Sequence, residues 1–126
     1  MEKLTFKRTQ DFYNIEDKTS EAILYLGGFL RFDVAGDTKS WKEWINNPTS
    51  QDVGSNYSHL EKHNDKIFIA FDYDWFHETP DAPIFELTID QLNYVLDRWA
   101  EALEKKPNKI IITKDDNGEI KVEFED

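Results

Sequence analysis

Residues 85–107 read FELTIDQLNYVLDRWAEALEKKP, and residues 108–124 follow as NKIIITKDDNGEIKVEF. The first stretch carries its own helix start. Thr88 and Gln91 have the spacing of a capping box, and Leu87 and Leu92 occupy the staple positions on either side of it. Leu92, Val95, Leu96, Trp99, Ala100 and Leu103 step by three and four along one face. Asp90, Asp97, Arg98, Glu101 and Lys105 take the opposite face. Lys105 and Lys106 suit the negative end of the helix dipole, and Pro107 stops the helix. The second stretch is a hairpin, because Asn117-Gly118 separates Ile110–Thr113 from Ile120–Phe124. An amphipathic helix lying on a sheet is the reading that both stretches share.

Working back from there, Ile84–Leu87 is a strand, and Pro80 and Pro83 bracket the turn before it. Residues 67–76, Ile67-Phe68-Ile69-Ala70-Phe71-Asp72-Tyr73-Asp74-Trp75-Phe76, read as the strongest strand. Its first half is apolar throughout, as in a strand covered on both faces. Its second half alternates, with Phe71, Tyr73 and Trp75 on one side and Asp72 and Asp74 on the other. The C-terminal hairpin is expected to join this strand.

The run Ala22–Leu26, the pair Gly27-Gly28 and Phe29–Asp33 read as a hairpin or as one strand with a bulge. Leu4–Arg8 alternates and reads as an edge strand. Ser40 and Glu43 have capping-box spacing, and Asn46-Asn47-Pro48 ends a short helix. Trp41, Trp44 and Ile45 share one face of that helix, and a tryptophan pair so placed more often clamps a helix to the core than binds a ligand. Residues 49–65, with Gly54, Ser55 and Asn56, read as loop with a helical turn near His59. No linker divides residues 1–126, so one domain is expected. Strands outnumber helices without βαβ alternation. The class is therefore α+β, with an antiparallel or mixed sheet, one long helix packed on a face and one short helix.

Composition narrows the function. Without cysteine there is no disulfide, thiolate nucleophile or cysteine zinc site. Nine Phe, five Tyr and four Trp supply a core to a chain that is 33% charged. The first residues lack the apolar segment of a signal peptide, and no apolar run nears the roughly 20 residues of a membrane span. The expectation is a soluble, cytoplasmic protein. The net charge of −11, from 15 basic and 26 acidic residues, opposes direct nucleic-acid and membrane binding and favours a basic protein partner.

Catalytic signals are sparse. His59 and His63 are four apart and would share a helix face, but Leu60 stands where a zincin motif requires Glu, and His77 is the only other histidine. Surface histidines, no metal and no cofactor are expected. Asp72 and Asp74, with a histidine, could serve a small metal-dependent hydrolase, yet no phosphate loop or nucleophile elbow accompanies them. A non-enzymatic role is the stronger reading. Residues 67–97 contain no Lys or Arg, while Asp72, Asp74, Glu78, Asp81, Glu86, Asp90 and Asp97 fall within them. Carboxylates beside aromatics suit an interface that receives Lys and Arg. Asp72, Asp74, Trp75, Glu78 and Asp81 are the candidate contacts, whereas Phe71 and Tyr94 are expected in the core.

In being small, acidic, aromatic-rich and cysteine-free, with the Phe85–Pro107 helix unit and the Ile110–Phe124 hairpin, the chain resembles immunity proteins of bacterial polymorphic-toxin and contact-dependent growth-inhibition systems. The resemblance is one of type and transfers no functional residue. It implies a stoichiometric inhibitor that covers the basic active site of a cognate nuclease toxin. A regulatory adaptor with no toxin partner has the same composition. Neither reading specifies an oligomeric state.

Overall fold

The computed structural model describes residues 1–54 and 57–126, and the backbone alone of Tyr73. The expected loop at Ser55 and Asn56 and the side-chain direction of Tyr73 therefore lie outside the described residues. The class is α+β, with two antiparallel four-stranded sheets. In the first, β1 (Glu2–Thr9) lies between β2 (Phe12–Lys18) and β7 (Lys109–Lys114), and β8 (Ile120–Glu125) forms an edge. In the second, the order is β3 (Asp52–Gly54), β4 (His59–His63), β5 (Lys66–Ala70) and β6 (Phe85–Thr88). Among the described residues, four α-helices accompany them: α1 (Glu21–Gly28), α2 (Thr38–Asn46), α3 (Tyr73–Glu78) and α4 (Ile89–Lys105).

The long helix starts as its sequence dictates. The Thr88 hydroxyl accepts the Gln91 N–H at 3.0 Å, and the Gln91 side chain accepts the Thr88 N–H at 2.9 Å. Gln91 also donates to the Gly118 carbonyl at 2.8 Å, which ties the helix start to the hairpin turn. Its apolar face buries Leu92, Val95, Leu96 and Trp99. The Trp99 ring packs 5.2 Å from Phe6, and Arg98 covers Phe124 at 4.0 Å while donating to the Val122 carbonyl. Thr88→Ala is expected to cost about 1 kcal/mol, read as a lower urea midpoint, while Thr88→Ser stays near wild type.

One buried cluster joins both sheets: Leu4, Phe6, Ile110 and Ile112 from the first meet Leu60, Ile67, Ile69 and Phe85 from the second, with Leu26, Phe29 and Leu30 among them. This arrangement corrects three expectations. β1 is central, not an edge, because the fully buried Leu4 and Phe6 outweigh its exposed Lys3 and Lys7. The hairpin β7–β8 therefore joins β1 rather than the 67–76 segment. That segment is a strand only to Ala70, because Asp72 then caps α3 by accepting the Asp74 N–H.

A fourth correction concerns residues 21–34, which are helical throughout: α1 runs on into a π-helix over Phe29–Val34. A helix buried nearly all round loses its polar stripe and reads like a buried strand. Indole N–H groups fasten its end, from Trp41 to the Asp33 carbonyl at 3.2 Å and from Trp99 to the Ala35 carbonyl at 2.8 Å. Trp41 and Trp44 pack against the core as expected, with Trp41 edge-on to Phe29 at 4.9 Å. The helix that bears them starts earlier than its capping-box spacing suggests, with Asp37 as its cap. Among the described residues, no helix is long and apolar enough to cross a membrane.

Candidate functional site

Residues 59–63, His-Leu-Glu-Lys-His, form β4, so the expected helical turn near His59 gives way to a strand. Pairing on both sides decides this. Asp52 of β3 and Phe68 of β5 both stand opposite Glu61, and Asn64 takes the left-handed conformation that the tight β4–β5 turn needs. On a strand, residues two apart share a face. His59, Glu61 and His63 thus point one way, while Leu60 enters the core on the other. Lys62 follows Leu60, and its ammonium donates to the carbonyls of Ile45 and Asn47 at 2.8 Å each. That cation is engaged by the C-terminal end of α2.

The short helix α3 brings His77 over the same face. Glu61 then has three imidazoles around one buried carboxylate. The Nε2 atom of His59 lies 2.8 Å from Oε2, the Nε2 atom of His77 also bonds Oε2, and the Nε2 atom of His63 lies 2.9 Å from Oε1. An ionised carboxylate only accepts, so each Nε2 carries its proton. The Glu61 side chain is 9% exposed, and that burial is the largest single influence on it, pushing its pKa up. The hydrogen bonds from His59, His63 and His77, with the charge of His77, together outweigh burial and hold the carboxyl at about 2. Aromatic contacts orient two of the rings: His63 lies 5.0 Å from Phe68, and His77 4.8 Å from Phe76.

Beside the cluster opens a cavity of about 470 Å³, lined by Gln51, Asp52, Glu61, Lys62, His63, Asn64 and His77. One ligand atom from each of His59, Glu61 and His77 lies within 4.8 Å of the others. At helical spacing His59 and His63 share a face that Glu61 does not join. The signal that identifies the site is the two-residue alternation His-x-Glu-x-His, which is one-sided only on a strand.

The expected contact residues lie on and after α3. Asp72, Asp74, Glu78 and Asp81 are exposed, and Trp75 is half-buried, edge-on to Tyr25 at 6.2 Å. Asp72 and Asp74 do not share a strand face, because Asp72 caps the helix that Asp74 enters. Among the described residues, the group that could hold a metal ion contains neither of them; the carboxylate that meets His59 and His77 is Glu61. Phe71 and Tyr94, expected in the core, are 50% and 38% exposed. Phe71 comes just after β5 ends, and the Tyr94 hydroxyl lies over the first sheet, accepting the Val122 N–H at 3.0 Å. Phe71 belongs to a row of rings that only the fold assembles. Phe32 lies 5.2 Å from Tyr57, Tyr57 6.0 Å from Phe71, and Phe71 6.3 Å from Trp75. Phe32 is 51% exposed, and the Arg31 guanidinium covers it at 4.9 Å.

No family model, curated protein or solved structure matches the chain.

Proposed function

We propose that this chain is a protein-binding domain of immunity type, which takes a basic partner on the α3 surface and neutralises it by occlusion. The observation that carries the reading is the row Phe32–Tyr57–Phe71–Trp75 running into the exposed acids Asp72, Asp74 and Glu78. Half-exposed rings cost solvation when left bare, and they supply the rigid apolar anchors on which interfaces concentrate their binding energy. The carboxylates beside them match Lys and Arg, and no basic residue in positions 67–97 competes for those partners. A nuclease that holds phosphate with a basic cleft presents the complementary surface. Acidic side chains seated there would occupy the places of phosphates, while the rings exclude water at the centre. The net charge of −11 steers such an encounter over a distance that salt shortens.

The test is recovery of the partner with the tagged chain from its native cell, washed at low and at moderate salt, followed by affinity measurement on the purified pair. Asp74→Lys, Glu78→Lys and Asp81→Lys together are the informative variant, because Asp72 is spared to keep its cap on α3. Affinity should fall about 100-fold or more, and its salt dependence should flatten. An unchanged affinity with an unchanged salt slope removes the α3 surface from consideration.

A further inference from the structure

The geometry points to a binding site for a zinc-class divalent ion formed by His59, Glu61 and His77, with His63 as the residue that positions Glu61. The site shares no residue with the proposed contacts, although His77 lies on α3 beside them; Glu61, His63 and His77 line the cavity beside β3 and β4.

The argument begins with what the cluster costs. A carboxylate at 9% exposure has left most of its hydration behind, and apolar residues of similar volume often serve a core as well as a buried ion pair does. One partner would suffice to neutralise Glu61. Three imidazole nitrogens converge on it instead, from the two elements β4 and α3. Two of them, from His59 and His77, meet the same oxygen. Each nitrogen becomes a metal ligand on losing its proton, so an ion can replace the protons that hold the cluster together.

The donor set selects the ion. Two imidazole nitrogens and a carboxylate oxygen suit Zn²⁺ and its neighbours in the transition series, whereas Mg²⁺ and Ca²⁺ prefer oxygen alone. Three protein ligands leave a coordination position open, and here a cavity of about 470 Å³ lies on that side. Asp52, directly across the ladder from Glu61, adds a carboxylate to the cavity wall. The Lys62 ammonium, which would repel a cation, is held by carbonyls of the α2 end.

The fit requires a small expansion. Tetrahedral zinc with bonds of about 2.0–2.1 Å sets neighbouring ligand atoms roughly 3.3 Å apart. The 2.8 Å separation of His59 Nε2 and Glu61 Oε2 must open by about half an ångström to reach that. His77 can supply most of the remaining movement, since its side chain is 44% exposed and α3 is a single short helix. His63 keeps its hydrogen bond to Oε1 and so fixes which oxygen faces the ion.

The experiment uses the full chain without a histidine tag, stripped with a chelator and titrated with Zn²⁺ alone by calorimetry. The expected result is one equivalent bound, with Kd on the order of 1 µM or tighter. Co²⁺ in place of Zn²⁺ should give the visible ligand-field bands of a four- or five-coordinate ion. Saturating Zn²⁺ should raise the melting temperature by about 5 °C or more. His77→Ala, checked for folding by circular dichroism, should weaken binding about 100-fold and abolish both the bands and the thermal shift, while His63→Ala should weaken it about 10-fold. No saturable uptake by the wild-type chain overturns the site. So does uptake that survives His77→Ala, which would place the ion on other surface groups.

Discussion

Glu61→Ala in metal-free protein should lower stability by about 3–5 kcal/mol, because it removes the buried carboxylate at the centre of the histidine cluster. The variant leaves three imidazoles around an empty centre, with the His59 ring buried at 6% exposure and deprived of an acceptor that water cannot easily replace. Glu61→Gln should recover part of the loss, since its amide oxygen can still accept from one ring. Acid titration separates the charge from the shape. The carboxyl sits at about 2 in the folded protein against an ordinary value of 4.5, so its contribution is complete above pH 4.5 and is withdrawn as the pH falls toward 2. Urea unfolding in the presence of chelator should therefore show wild type losing up to about 3 kcal/mol between those limits, with the slope absent in Glu61→Gln. A cost below about 1 kcal/mol for Glu61→Ala would mean that water reaches the cluster freely and that the carboxylate is not a structural centre.

Gly28→Ala is expected to destabilise the domain by about 2–3 kcal/mol although it improves helix propensity. Gly28 has ordinary right-handed helical angles, so conformational freedom is not why glycine stands there. Space is. A Cβ at this position would fall within the Tyr57 ring, 2.8 Å from its Cζ and nearer still to two other ring atoms. Tyr57 has little room to yield, because it sits between Phe32 and Phe71 and donates its backbone N–H to Asp33 at 2.9 Å. Gly27→Ala is the control. Its Cβ would meet the flexible ends of Ile15 and Leu4 at 2.9–3.3 Å, so its cost should stay near 1 kcal/mol. The same variant bears on the proposed interface, since a displaced Tyr57 breaks the aromatic row. Partner affinity should fall with Gly28→Ala even at temperatures where the fold persists. Equal urea midpoints for Gly28→Ala and wild type would show that the Tyr57 ring swings away at no cost.

What the sequence determined by itself lies where one short-range signal decides the outcome. α4 has its capping box, an apolar face in a 3.6-residue period and a proline stop, all within residues 88–107, and the fold keeps every one of them. The β7–β8 hairpin follows from Asn117-Gly118, where Gly118 takes a φ of 84°. The inward packing of Trp41 and Trp44 follows from their spacing on α2. The absence of basic residues in positions 67–97 could likewise be read directly.

Tertiary structure decided whatever depends on which surfaces meet. Residues 21–34 read as strand in the sequence because burial of most of this helix erases the polar stripe by which a helix is recognised. Asp72 ended a strand that its apolar pattern would have prolonged, because its carboxylate found the Asp74 N–H. β1 moved from the edge to the centre because a strand's neighbours are chosen by the whole sheet, and nothing local specifies them. The histidine–glutamate cluster depends on the same kind of choice. His-Leu-Glu-Lys-His suits a helix by spacing and becomes one-sided only when β3 and β5 pair with it, and His77 arrives from α3, fourteen positions past the end of β4. Local propensity acts over one or two turns of chain, whereas a buried carboxylate needs partners from wherever the core brings them.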